Sequence, residues 1–351
     1  MDFETLDEQL AARAARDEFS GVVRVETAGR VLFESAYGFA NRAWQIPCAT
    51  STRFDTASIT KLFTAVATLQ QIEAGAFGLD TPVVEYLGLS GTTLSPAITP
   101  YHLLTHTSGI ADDADEEDGE RYEDLFVERP NYSVIELSDH LDQFVTKPPK
   151  FAPGEGCSYN NAAYILLGLM VERATQDSYR EYVKTRVFAP AGMDRSGFFR
   201  MDVVEPDVAE GAEPVVDDDG RITGWHRNIY SYPLIGSPDG GAHTTPHDLI
   251  RFHEALRAGA LLGPESTAAM FIPRETYRPR GTGTHYMGFG LEFETDAEGA
   301  VRCYWKEGIN LGVSGELRHY PSQDITSAVQ SNTEDGAWEP IRMIDRIISP
   351  T

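Results

Sequence analysis

Strand-like segments occupy both ends of this chain and are scarce in its middle, and that distribution constrains the fold more than any other feature. Residues 21–26 and 30–38 alternate or run apolar around Ala28-Gly29, which signals a hairpin. Residues 286–293, 301–306, 315–320 and 325–330 repeat the alternating pattern near the C-terminus. Between them, residues 79–232 read as mostly helical with long polar loops, with helices over 164–175 and 178–188. Helical periodicity also marks residues 4–17, 58–74, 247–258 and 337–348. Strands need partners, so the two ends must meet. An α+β fold is expected, with one antiparallel sheet built from both termini and a large, mostly helical insertion. The expected division sets residues 1–78 and 237–351 in the sheet-bearing part and 79–236 in the helical part. No internal repeat or low-complexity segment interrupts this plan.

A chain of 351 residues that is 41% hydrophobic buries a large core in one or two domains. No window approaches twenty apolar residues, so no membrane span is expected. The net charge of -25 disfavours nucleic acid and anionic membrane as partners. The opening Met1-Asp-Phe-Glu-Thr-Leu-Asp-Glu8 is acidic, the reverse of a secretory signal, and a cytoplasmic location is expected. The acidic runs 112–120 and 217–220 place their glycines wrongly for a calcium loop and are expected to be solvated. Cys48, Cys157 and Cys303 form no close pair and no metal spacing, so free thiols are expected. The histidines form no His-Glu-x-x-His motif. His102 and His106 are spaced i, i+4, but they sit in a Leu-Leu-Thr-His-Thr-Ser-Gly turn where packing and hydrogen bonding suit them better. Neither a metal nor another cofactor is expected.

The chemistry concentrates at Ser58-Ile-Thr-Lys61, which opens the apolar segment 58–74 closed by Gly75. At i, i+3 the hydroxyl and the amine share one helical face. A serine hydroxyl attacks only when a base removes its proton, and a lysine does so only as the neutral amine. With five lysines in the chain, roughly 0.3 Ser-x-x-Lys matches are expected by chance, so the motif alone is weak. Tyr159-Asn-Asn161 and Lys306-Glu-Gly308 follow in the order and rough spacing that such an enzyme requires. Lysine is otherwise rare here, which raises the functional weight of Lys306. Taken singly, Tyr159 also reads as an interfacial aromatic and Asn161 as a helix cap.

With these motifs the chain resembles the serine β-lactamase and penicillin-binding-protein superfamily, in the class C-like branch that also holds esterases and D-amino-acid amidases or aminopeptidases. Further support comes from Phe54-Asp-Thr-Ala-Ser58, His102-Leu-Leu-Thr-His-Thr-Ser-Gly109, Phe151-Ala-Pro-Gly154 and Gly240-Gly-Ala-His-Thr-Thr-Pro-His-Asp248. The resemblance implies a five-stranded antiparallel sheet flanked by the terminal helices. It also implies an acyl-enzyme on Ser58, with Lys61 or Tyr159 as base and Asn161 holding Lys61 and the substrate carbonyl. The N–H groups of Ser58 and Ile309 would form the oxyanion hole, Lys306 would supply charge, and Gly308 would leave the strand open to substrate. Burial and the charge of Lys306 would favour a neutral Lys61.

Glu307 departs from the superfamily pattern, which carries Lys-Thr-Gly, Lys-Ser-Gly, His-x-Gly or Trp-x-Gly there. A carboxylate in the pocket would repel a carboxylate-bearing substrate by roughly 1 to 4 kcal/mol at about 4 Å. Poor β-lactam hydrolysis is therefore expected. A small ester comes first as substrate, then an amide or peptide with a free amine, then a β-lactam or D,D-peptide. A non-catalytic binding protein on the same fold is the alternative from another class. The α/β-hydrolase class lacks its Gly-x-Ser-x-Gly motif, since Gly312-Val-Ser-Gly315 breaks the spacing one residue early.

Overall fold

The computed structural model describes residues 1–115 and 119–349. Its main sheet contains β1 (Gly21–Thr27), β2 (Arg30–Tyr37), β3 (Glu275–Arg280), β4 (Gly283–Met287), β5 (Glu292–Thr295), β6 (Val301–Asn310), β7 (Val313–Tyr320) and β8 (Ile325–Ser331). The spatial order is β2-β1-β8-β7-β6-β5-β4-β3, antiparallel throughout. The two ends of the chain meet at the β1–β8 seam, where Gly21 pairs Ser331 and Thr27 pairs Ile325.

The sheet has eight strands, not five. The apolar run expected as one strand over 286–293 is broken by a reversal in which the Gly288 N–H donates to Leu291 O and Gly290 takes φ +77°. β3 escaped notice because Glu275-Thr-Tyr-Arg-Pro-Arg280 is polar and contains a proline. Such a sequence is tolerated at a sheet edge, where charge and proline also discourage further pairing.

Helices cover both faces of the sheet. On one face α1 (Phe3–Ala14) and α5 (Trp338–Ile348) bury Leu6, Leu10, Ile341 and Ile344 against Val23, Val25, Trp305 and Val329. The other face carries the larger core, built on α2 (Lys61–Glu73), α3 (Ala162–Thr175) and α4 (Pro246–Arg257). Residues 61–69 of α2 are all buried, so this helix is enclosed on every side instead of being amphipathic. Phe63 anchors it with edge-on contacts to Phe188 and Phe252, each at 4.9 Å. Each such side chain contributes about 1.5–3 kcal/mol by leaving water.

The stretch 79–236 is less helical than its sequence suggests. Apart from α3 and a continuous helical run over 179–191, where a helix over 178–188 is expected, it holds short turns such as Val83–Leu87 and Pro100–Leu104, and a hairpin of Ala212–Val216 with Ile222–Arg227. Asp217-Asp-Asp-Gly220 is the exposed turn of that hairpin, as a solvated acidic run should be. The other acidic run behaves differently: Asp112 and Asp113 are buried, while residues 116–118 lie outside the described part. Among the described residues no helix is long and apolar enough to cross a membrane.

Candidate active site

The α2 segment does not begin as an α-helix at Ser58. Residues Ala57–Thr60 form a 3-10 turn and the α-helix starts at Lys61. Side chains at i and i+3 eclipse in a 3-10 turn, which aligns Ser58 with Lys61 more closely than an α-turn would. The turn is fastened to the segment before α4: Thr56 N and Oγ1 both donate to Ala242 O at 2.8 Å, and Gly241 N donates to Ala57 O at 3.3 Å.

Lys61 is fully buried, and its acceptors include Ser58, Asn161 and Asp239. Its Nζ lies 3.0 Å from Ser58 Oγ, 2.7 Å from Asn161 Oδ1 and 2.7 Å from Asp239 O. Asn161 and Asp239 offer only carbonyl oxygens, so they occupy two N–H bonds whether the amine is charged or neutral. A further tetrahedral position faces Ser58 Oγ, which either accepts or donates. A proton can therefore cross that contact without disturbing the others. Tyr159 lies alongside, with Lys61 Nζ 4.9 Å and Lys306 Nζ 4.6 Å from its ring centroid. Its ring also stacks on His106 at 4.7 Å. Burial and the charges of Lys306 and Lys61 hold His106 well below the ordinary imidazole range. It stays neutral, with Nδ1 accepting from Asn160 N at 3.1 Å. The packing and hydrogen-bonding reading of His106 fits, as it does for His102, whose Nδ1 caps Thr99 N at 3.2 Å.

Strand β6 supplies the opposite wall. Lys306 is buried, and its Nζ donates to Glu292 Oε1 at 2.7 Å, while Glu292 Oε2 lies 2.8 Å from His285 Nε2. Burial opposes ionisation of Glu292, but Lys306 and His285 outweigh it and hold the acid well below the usual carboxylate range. Gly308 has a nearer purpose than leaving the strand open. A Cβ there would stand 2.0 Å from Thr56 O and 3.0 Å from Ser58 N, so only glycine lets β6 touch the serine turn.

Register aims the backbone of Ile309. Asn310 and Val313 close the β6–β7 hairpin as a bonded pair, so Ile309 and Glu307 turn their N–H and C=O groups away from β7. On that side β5 ends at Glu292, opposite Trp305, and both Glu307 and Ile309 line a cavity.

That cavity has a volume of about 310 Å³ and is lined by Ser58, Asp112, Tyr159, Lys306, Glu307 and Ile309, among others. Strand alternation puts the Glu307 side chain on the opposite side of β6 from Lys306, in register with Glu316. Crowding by surrounding protein and then the carboxylates of Glu292 and Glu316 push its acid up to about 7, and solvent at this exposed side chain moderates the first of these.

Several residues of the site were not anticipated from the sequence. Asp112 accepts from Asn161 N and Ala162 N at 2.9 Å, capping α3 from outside and fixing the residue that holds Lys61. Asp113 beside it is pushed well above the carboxylate range by burial and the charges of Asp112 and Asp239. Asp239 acts through its backbone oxygen, and no side-chain motif announces that. Glu292 was hidden in an apolar run, although an acid between Leu291 and Phe293 was a signal in itself.

Sheet, enclosed helix and serine–lysine pair together place the chain in the class of serine β-lactamase and penicillin-binding proteins. It belongs to the Beta-lactamase family, whose family model matches residues 6–349. The chain is similar to penicillin-binding protein 4* of Bacillus subtilis, with 28% identity over 310 residues, 84% of this chain and 63% of that protein. It is also similar to esterase EstB of Burkholderia gladioli, with 31% identity over 262 residues, 68% of this chain and 66% of that one. The chain thus spans just under two thirds of the length of these curated relatives. Among solved structures, a penicillin-binding protein from Bacillus halodurans superposes with a TM-score of 0.88 at 35% identity, covering 99% of this chain and 100% of that one.

Proposed function

We propose that this protein is a serine hydrolase that works through an acyl-enzyme on Ser58, with small carboxylic esters as its preferred substrates. The observation that carries this reading is the contact of buried Lys61 with Ser58 Oγ at 3.0 Å, with N–H bonds committed to Asn161 and Asp239. In the reacting form Lys61 is a neutral amine with its lone pair on the hydroxyl. Ser58 Oγ attacks the ester carbonyl carbon as its proton passes to Lys61 Nζ. The carbonyl oxygen becomes an oxyanion held by the N–H groups of Ser58 and Ile309. Collapse expels the alcohol, which takes a proton through Tyr159, and water repeats the sequence to release the acid. Asn161 keeps Lys61 aimed, and Lys306 favours loss of the Tyr159 proton during relay.

Glu307 supports a second reading in which the substrate is an amide or peptide with a free amine, as in D-amino-acid amidases. Because its side chain leaves β6 on the side away from Lys306, the repulsion of a β-lactam carboxylate is weaker than a pocket-facing carboxylate would give. The test is a panel of p-nitrophenyl acetate and butyrate, D-aminoacyl amides and nitrocefin, assayed with wild type and Ser58→Ala. Ester turnover that disappears in Ser58→Ala is the expected result. Unchanged turnover in the variant overturns the nucleophile, and nitrocefin as best substrate overturns the use of Glu307.

A further inference from the structure

Ala57, the residue before the proposed nucleophile, is buried and has φ +41°. Left-handed backbone is disfavoured for any residue with a Cβ, and alanine has no side-chain oxygen with which to offset it. The neighbours over-determine this conformation. On the N-terminal side, Ala57 N–H donates to Asp55 Oδ1 at 2.7 Å. On the C-terminal side, Ala57 O accepts from Gly241 N at 3.3 Å. Asp55 is itself anchored, because Phe54–Asp55 pairs as a short strand with His243–Thr244. Asp55 lines a cleft shared by Ser58, Asn161 and Asp239. An aspartate bonding the N–H two residues ahead is a side-chain turn, a local device for holding strained backbone.

Strain at Ala57 decides where Ser58 points. If Ala57 relaxed to negative φ, the peptide joining it to Ser58 would rotate, taking the Ser58 N–H and the start of the 3-10 turn with it. The Oγ to Nζ contact and the N–H assigned to the oxyanion would both be lost. We infer that Asp55 is a positioning residue for the reaction: its Oδ1 locks Ala57 in the left-handed conformation that presents Ser58. This rests on the proposed role of Ser58. It assigns Asp55 no contact with substrate and no proton transfer, only the acceptor oxygen.

The test follows covalent labelling of Ser58 by a fluorophosphonate, together with kcat and KM for p-nitrophenyl butyrate. Asp55→Ala should label about 100-fold more slowly, with kcat down in parallel and KM within about threefold, because misplacing a reacting group by about 1 Å costs that much. Ala57→Gly added to Asp55→Ala should recover most of the rate, since glycine takes positive φ without a side-chain clasp. Asp55→Asn keeps the oxygen acceptor and should stay within about threefold of wild type.

Wild-type labelling in Asp55→Ala overturns the inference. So does a slow Asp55→Ala that Ala57→Gly leaves slow, or an Asp55→Asn as impaired as the alanine variant. If Asp55→Ala fails to fold alone, the comparison moves into the Ala57→Gly background. There, a loss of under threefold on adding Asp55→Ala supports the inference and a loss above tenfold overturns it. Failure of wild type itself to label at Ser58 would instead refute the hydrolase reading, so the two failures are distinguishable.

Discussion

Glu307 and Gly308 are adjacent on one strand, yet they answer to different constraints. The Glu307 acid, pushed up to about 7, is neutral below that pH and a carboxylate above it. A folded-state pKa above the unfolded value favours folding below about 4.5, and that contribution is lost as pH rises through 7. For this exposed side chain the stability effect is small, and the effect on substrate is the one to measure. For an ammonium-bearing ester, kcat/KM relative to a matched neutral ester should rise about threefold to fourfold between pH 6 and 8, most of the about fivefold that 1 kcal/mol for unit charges 4 Å apart in water allows. Glu307→Gln should flatten that ratio, and an unchanged pH dependence in the variant would assign it to another group. Gly308 is set by contact. Gly308→Ala must push its Cβ away from Thr56 O, so urea unfolding should show a loss of about 1–3 kcal/mol, with ester turnover falling as the serine turn shifts. A stable, active Gly308→Ala would mean that β6 and the turn are looser than their spacing indicates.

At the scale of elements, α3 is the part of the site most open to test. Its N-terminus is capped by Asp112, fifty residues upstream of Ala162, instead of by Asn161, whose own side chain is committed to Lys61. Asp112→Ala should cost about 1–2 kcal/mol in urea unfolding, the range for losing a strong cap. It should also lower kcat at little change in KM, because Asn161 loses its anchor. Full activity in a destabilised variant would separate cap from catalysis. What was legible in the sequence follows the same division between local and remote. The grouping of Ser58, Lys61, Tyr159, Asn161 and Lys306 was readable because their residue types and order form a motif set, and the seam of the two termini was readable from alternation. Asp112, Glu292 and the Asp239 carbonyl were not, because each acts across many residues through a bond that leaves no local pattern. β3 was hidden by the polarity that suits an edge strand. The middle of the chain looked more helical than it is because short turns share helical spacing for only one cycle.

For the whole molecule, buried histidines make acid the condition to examine. His253 on α4 and His319 on β7 lie with ring centroids 4.7 Å apart and planes tilted by 40°, with His253 Nε2 2.9 Å from Tyr304 OH and His319 Nδ1 2.9 Å from Thr326 Oγ1. Burial lowers both, His319 to about 3. Groups depressed in the folded state contribute stability above about 6.5, and it is lost as pH falls towards 3. The urea midpoint should therefore drop between pH 7 and 4, and His319→Gln should shrink that drop; an identical drop in the variant would exonerate the pair. Folding, however, is only the setting for the reaction proposed here. The most direct measurement is mass spectrometry of protein quenched during p-nitrophenyl butyrate turnover, with the modified peptide sequenced. A butyryl group on Ser58, absent from Ser58→Ala and formed far more slowly in Lys61→Met, is the predicted result. Turnover without an adduct on Ser58 in any variant, or an adduct on another residue, would contradict it.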